Sequence, residues 1–258
     1  MPPRVLGGEQ ARLDASDVAS KFDAFHISLP ARHDLEQQTQ TALMEAELDA
    51  EKLMAEEDFE VSAKVVVPVG SVEDATEDGL FSRQQISVLG PLAEAGARGN
   101  AAAHVALWKK CAQGEKACMI IEDGIKTWPR IGQIAAHLIG TIERVVEADA
   151  RSVLLYIGGE VQPSDWTAQW LPTDMAHPPP IDQKIVLREA RAVAGSHCYV
   201  VWPLAAKRLL ANLPITMPID KVIETHLKAG RVRAMVVQPH SLAVQVRDHQ
   251  SGPARPSF

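Results

Sequence analysis

The chain has 258 residues, of which 46% are hydrophobic, and a formal net charge of −7 at pH 7. This length and apolar content suffice for one full core, so we expect a flexible arm over 1–20, a single domain over 21–250 and a flexible tail over 251–258. The acidic balance disfavours nucleic acid as a partner, which would need a basic patch, although a nucleic-acid acceptor stays open.

Cysteine usage and the N-terminus indicate a cytoplasmic protein. Three cysteines lie in apolar contexts without C-x-x-C spacing, namely Cys111, Cys118 and Cys198. This is typical of buried free thiols in a reducing compartment. No apolar run approaches the ~20 residues that cross a bilayer, so no membrane span is expected. The N-terminus also lacks the basic-then-apolar pattern of a signal peptide.

The first half of the chain alternates predicted strands and helices. Its elements are, in order, a strand over 22–29, a helix over 34–56, a valine-rich strand over 61–69, a loop with a short helix over 71–90, a helix over 100–113 and a strand over 117–121. The helix over 34–56 rests on its Ala, Leu, Met, Glu and Gln content, and the strand over 61–69 on its valines.

The second half continues the alternation. Its elements are a helix over 130–148, strands over 152–157 and 198–202, helices over 204–213 and 220–229, a strand over 232–237 and then a polar tail. Between them, 161–180 carries several prolines together with Trp166 and Trp170, and is predicted to be an irregular lid or substrate loop. The two tryptophans either stack on a sugar or anchor that loop. The alternation as a whole predicts an α/β sheet.

Two adjacent carboxylates, Glu122 and Asp123, follow the apolar run over 117–121. Open α/β sheets bind their ligands outside the carboxyl ends of the strands, and adjacent carboxylates there can hold a divalent cation that holds a phosphate. The alternative is a solvated strand end or a helix N-cap. The signatures of P-loop enzymes, serine hydrolases, zincins and dinucleotide-binding enzymes are absent from the sequence.

Seven short segments, taken in their order along the chain, remain for comparison with known families. They are His26–Arg32, Gly99–Trp108, Met119–Gly124, Leu154–Gly159, Gly195–Val201, Pro218–Asp220 and Val237–Gln245. In order and spacing, over roughly 22–250, the chain resembles glycosyltransferase family 25, which includes lipooligosaccharide and collagen galactosyltransferases.

The resemblance implies a GT-A-like nucleotide-sugar fold with a central, mostly parallel sheet flanked by helices. It also implies a UDP-sugar donor carrying galactose or glucose, transfer with inversion, and Mn²⁺ or Mg²⁺. A glycan, lipid or protein would be the acceptor.

Site residues are assigned from the same motifs and from their chemistry. The candidates for donor binding are Ser28, Leu29, Arg32, His104, Glu122 and His197. The candidate metal ligands are Asp123, Glu122 and His240, since such sites often mix nitrogen and oxygen ligands. An inverting transfer needs a base at the acceptor hydroxyl, for which Asp220 is the candidate, with Asp123 as the second catalytic residue. For Asp220 the alternative is an ordinary helix N-cap, and for His104 a structural histidine.

Three motif positions depart from the family pattern. Ser28 replaces an asparagine, Ala103 a serine, and Gly124 the last carboxylate of a Glu-Asp-Asp motif. These departures motivate an alternative, a degenerate protein that binds a nucleotide-sugar or a partner without catalysis. A metal-dependent phosphoesterase is a third possibility, but the sequence lacks the dense His/Asp cluster of a two-metal site.

Overall fold

The α/β class is confirmed. A computed structural model describes residues 20–28, 37, 39–41, 51–55, 61–62, 95–127, 131–148, 151–176, 184–211, 213–215, 217–238 and 243–245. Within these ranges a mixed sheet of nine strands carries helices on both of its faces. None of the helices described is long and apolar enough to cross a bilayer.

The strands and helices are numbered in chain order. The strands are β1 Phe22–Ser28, β2 Glu51–Ala55, β3 Val61–Ser62, β4 Ala117–Glu122, β5 Ile125–Thr127, β6 Val153–Tyr156, β7 Trp166–Ala176, β8 Lys184–Ala190, β9 Cys198–Val201, β10 Arg233–Gln238 and β11 Ala243–Gln245. The helices are α1 Ala95–Gln113, α2 Ile131–Val145, α3 Pro203–Leu210 and α4 Ile219–Lys228.

The large sheet is mostly antiparallel. Its strand order is β3-β2-β1-β4-β9-β6-β10-β8-β7, and a second sheet pairs β11 with β5. Only the pairs β1/β2, β1/β4 and β6/β10 are parallel, whereas five pairs are antiparallel. The predicted mostly parallel sheet is therefore wrong. The reason is that reversed strands, chiefly β9, enter between strands that share one direction.

Four strands nevertheless end at the same edge of the sheet. β1 and β4 are parallel, β9 is antiparallel to both β4 and β6, and β10 is parallel to β6. The C-terminal ends of β1, β4, β6 and β10 therefore lie together, and we call this the carboxyl edge. Because β9 runs the other way, its first residues lie at this edge as well.

Each face of the sheet has its own core. Helices α1, α3 and α4 pack on the face that includes Ile120, Tyr156 and Tyr199, called the three-helix face. Helix α2 packs on the opposite face, against Met119 and Ile121 among others. Successive residues of β4 thus alternate between the two cores, as the twofold side-chain period of a strand requires.

Two of the predicted elements are corrected by the structure. Residues 37 and 39–41 are helical, but 51–55, inside the predicted helix over 34–56, form β2. Hydrogen bonding to β1 overrides helix propensity there.

The predicted irregular loop over 161–180 contains β7. This strand pairs with β8, which was not expected from the sequence either. The end position of β7 in the sheet explains how Pro172 is tolerated.

The prediction of three free thiols is also wrong. Cys111 at the end of α1 and Cys118 in β4 form a disulfide, with their Cα atoms 6.0 Å apart. Cys198 is a free and buried thiol, and burial raises its pKa to about 12. The disulfide ties the end of α1 to the start of β4.

Candidate functional site

The Glu122 carboxylate lies at the carboxyl edge and accepts three hydrogen bonds on one oxygen. Ser196 Oγ donates to Glu122 Oε1 over 2.7 Å, His104 Nε2 over 2.9 Å and Asn100 Nδ2 over 3.3 Å. Asn100 and His104 come from α1, and Ser196 from the segment before β9. Two elements distant in sequence thus meet at one carboxylate oxygen.

The other oxygen of Glu122 is open. Oε2 makes no hydrogen bond within the described part of the chain, and it is not among the buried unpartnered atoms, so it retains contact with solvent. The side chain as a whole is 12% exposed. Within the described residues, the protein thus holds Glu122 through one carboxylate oxygen and makes no hydrogen bond to the other.

The pKa of Glu122 is low. Burial alone would raise it, but hydrogen bonding and charge from His104, together with hydrogen bonds from Ser196 and Asn100, outweigh burial and bring the pKa to about 2. Glu122 is therefore a fixed negative charge at neutral pH.

A buried chain of hydrogen bonds continues from Glu122 into the three-helix face. His104 Nδ1 lies 2.9 Å from the hydroxyl oxygen of Tyr199, which accepts a bond of 2.8 Å from Trp108 Nε1. A protonated His104 satisfies these bonds by donating from Nε2 to Glu122 and from Nδ1 to Tyr199, and a neutral ring satisfies them when Tyr199 donates to Nδ1 instead. The Tyr199 and His104 rings are also stacked, 5.8 Å apart. His104 is thus a buried residue that orients Glu122.

Backbone contacts fix the segment that carries Ser196. Glu160 and Ala194 exchange backbone hydrogen bonds of 2.9 and 2.8 Å, and the Glu122 amide donates to the His197 carbonyl over 2.9 Å. Gly195 has a φ of +86°, and a Cβ placed there would lie 2.9 Å from His197 Nδ1. The left-handed turn therefore requires glycine at this position.

Asp220 lies on the same side of the sheet as Glu122. It occupies the first turn of α4 and is half-buried. The hydroxyl of Tyr156 is buried and has no hydrogen-bond partner in the described ranges. Burial raises the pKa of Tyr156, and the negative charges of Asp220, Glu122 and Glu224 raise it further. The negative charges of Asp220 and Glu122 thus both disfavour ionisation of the buried Tyr156 hydroxyl.

Of the other six predicted site residues, three are buried and three lie outside the residues that the structure describes. Asp123 is buried directly after β4, and His197 is buried before β9. Ser28, at the end of β1, is fully buried, and strand alternation puts its side chain on the α2 face, opposite Glu122. Leu29, Arg32 and His240 lie outside the described residues.

No group of three or more His, Cys, Asp or Glu side chains suited to hold a metal ion occurs among the described residues. The predicted third ligand, His240, is outside them. Glu122 Oε2 is one possible metal contact, while the adjacent Asp123 is buried and already interacts with other groups. A partly hydrated Mg²⁺ or Mn²⁺ needs only one or two carboxylates when phosphates supply the other ligands, so Glu122 Oε2 alone meets the minimum for such an ion.

Three polar side chains of the network were not singled out from the sequence: Asn100, Ser196 and Tyr199. All three lie inside segments that carry the family resemblance, so their positions in the motifs were the available signal. Residue type alone gave none, because Asn, Ser and Tyr are common in any fold.

A groove of about 400 Å³ lies elsewhere. Its lining includes Val145, Trp170, Arg233 and Met235. Val153 and Arg233, the first residues of β6 and β10, also line this groove, so it lies at the edge of the sheet opposite Glu122. Trp170 is 60% exposed beside it, while the Trp166 ring is covered by the Arg188 guanidinium, 5.0 Å away.

The chain matches no protein-family model, and no curated protein sequence matches it.

Proposed function

We propose that this protein is a UDP-sugar-dependent glycosyltransferase that moves a hexose, galactose or glucose, to an acceptor hydroxyl with inversion. One observation carries the proposal. Three of the segments that resemble family 25, around His104, Glu122 and Ser196, meet in one hydrogen-bond network. That network lies at the carboxyl edge, where open α/β sheets bind nucleotides. The α/β sheet is compatible with a GT-A-like fold.

The donor diphosphate would lie beside Glu122 and Asp123. A divalent cation bound there, with Glu122 Oε2 and Asp123 as its protein ligands, would neutralise the charge that develops on the leaving diphosphate. Glu122 suits this role because it is ionised at neutral pH and has one oxygen open. The fixed hydrogen bonds on Oε1 keep the carboxylate from reorganising when ligand binds.

Asp220 would act as the base. In an inverting transfer, the acceptor hydroxyl gives its proton to the Asp220 carboxylate while its oxygen bonds to the anomeric carbon. The bond from that carbon to the diphosphate oxygen breaks, and UDP leaves with the electron pair. The half-buried position of Asp220 on the same side of the sheet as Glu122 supports this assignment.

Calorimetry with UDP, with and without Mn²⁺, tests the proposal, followed by a screen of UDP-sugars for hydrolysis in the absence of acceptor. We expect metal-dependent UDP binding that is weakened by Asp123→Ala, and turnover that is lost in Asp220→Asn. The matched control is Glu115→Gln, an exposed carboxylate between α1 and the start of β4, which should leave both unchanged. Failure to bind UDP with any divalent ion would refute the proposal.

A second candidate is a protein that binds the nucleotide-sugar without turnover. Gly124 favours it, because the position that carries the last acidic residue of the family motif is here a glycine with a φ of +67°. Its amide donates to Thr39 Oγ1 over 2.8 Å, so this turn is used structurally. UDP binding without hydrolysis or transfer of any sugar in the screen would identify this alternative.

A further inference from the structure

We infer that Ser196 and His104 are positioning residues that lock the Glu122 carboxylate in one orientation, so that Oε2 makes a single fixed contact with the metal-bound donor. The identity of that ligand rests on the proposed function. The locking itself does not, because it is a property of the protein without ligand.

The geometry distinguishes the two oxygens of Glu122. All three donors converge on Oε1, so a rotation that exchanged the oxygens would first break three hydrogen bonds. The single acceptor of these three bonds is the ionised Glu122 carboxylate, and hydrogen bonds to charged groups contribute about 1.5–3 kcal/mol each. Free rotation of the carboxylate is therefore suppressed.

Ser196 is buried, and its hydroxyl makes the shortest of the three bonds to Glu122. Among the residues that the structure describes, this hydroxyl makes no other hydrogen bond. The glycine turn before it and the backbone bonds of its loop hold it in place. A hydroxyl proton can be donated only once, and here it is given to Glu122.

The His104 ring is itself held by a hydrogen bond on the side away from Glu122. Tyr199 bonds its Nδ1, Trp108 bonds Tyr199, and all three side chains are fully buried. Three donors from the described residues bond one oxygen of Glu122 and none bonds the other, so a ligand could contact Oε2 without displacing any of these hydrogen bonds.

The test is a carbon-detected NMR titration of the Glu122 carboxyl group in the protein without ligand. Ser196→Ala should raise the titration midpoint of Glu122 by about one pH unit, the equivalent of one charge-assisted hydrogen bond. Ser196→Thr keeps the hydroxyl and should restore the midpoint. Ser164→Ala, at an exposed serine in the 3-10 turn Pro163–Asp165, is the matched control and should change nothing.

Activity provides the second readout. With the UDP-sugar that turns over, Ser196→Ala should raise KM about tenfold while kcat changes less, as expected when a ground-state contact is weakened. Asn100→Ala removes the longest of the three bonds and should shift the midpoint in the same direction by less. It also keeps the test usable if Ser196→Ala does not fold.

The two proposals fail differently. An unchanged Glu122 midpoint in folded Ser196→Ala and Asn100→Ala would overturn the locking. A shifted midpoint in a protein that binds no UDP with any metal would confirm the locking and refute the proposed donor.

Discussion

Replacing Glu122 with glutamine should change the acid stability of the protein in a calculable way. The amide keeps the shape of the side chain and an oxygen that accepts hydrogen bonds, but it removes the ionisation. In the wild type the pKa falls from 4.5 to about 2 on folding. Since one pKa unit corresponds to about 1.4 kcal/mol, the ionised carboxylate adds about 3 kcal/mol to the free energy of unfolding.

The sign follows from the direction of this pKa change. A carboxyl group whose pKa is lowered by folding contributes its full stabilisation above about pH 4.5 and loses it as the pH falls through about 2. At pH 3.5 linkage leaves about 2 kcal/mol of the contribution. The stability difference between wild type and Glu122→Gln should therefore narrow by about 1 kcal/mol or slightly more between pH 7 and pH 3.5.

Urea unfolding followed by circular dichroism at the two pH values measures this difference. Glu115→Gln, at an exposed carboxylate, serves as the control and corrects for the general effect of removing one negative charge. A difference between wild type and Glu122→Gln that stays constant from pH 7 to pH 3.5 would refute the view that Glu122 is held as an anion by its three donors.

Three further predictions concern the surrounding framework. Gly195→Ala should lower the free energy of unfolding by about 1–3 kcal/mol, and by more than Gly230→Ala does. Both glycines have positive φ, but only a Cβ at Gly195 would meet a neighbouring side chain. Equal losses of the two variants in urea unfolding would contradict this. His226 is buried without a hydrogen-bond partner among the described residues, and burial lowers its pKa. Stability should therefore fall as the pH drops below about 6.5, and a pH series should show less of this loss in His226→Phe. Thiol titration of the unfolded, unreduced protein should find one free thiol, and three after reduction, since Cys111 and Cys118 are paired; three thiols without reductant would exclude the disulfide.

Local patterns in the sequence predicted most of the elements around the site. The apolar run before Glu122, the amphipathic stretch of α2 and the Pro203 start of α3 all lie where the structure has them. These features depend on side-chain periodicity and on chain-terminating residues, which act over a few positions. The same local reasoning failed at β2, where pairing with β1 determines the conformation of a segment that favours a helix by composition.

Strand direction was beyond the reach of such patterns. Nothing in Cys198–Val201 distinguishes a parallel from an antiparallel strand, since both need the same buried apolar residues. Yet the reversed direction of β9 is what brings Ser196 to the edge where Glu122 lies. A parallel β9 would have put Ser196 at the opposite edge, so this contact of the site follows from topology alone.

The sequence by itself determined an α/β protein with two adjacent carboxylates at the end of a buried strand, because those facts are encoded within short stretches of chain. The tertiary structure decided which carboxylate is held and how. Glu122 is fixed by side chains 18, 22 and 74 residues away. Which oxygen they saturate, and which they leave open, depends on how α1 and β9 pack against β4, and no local pattern specifies that packing.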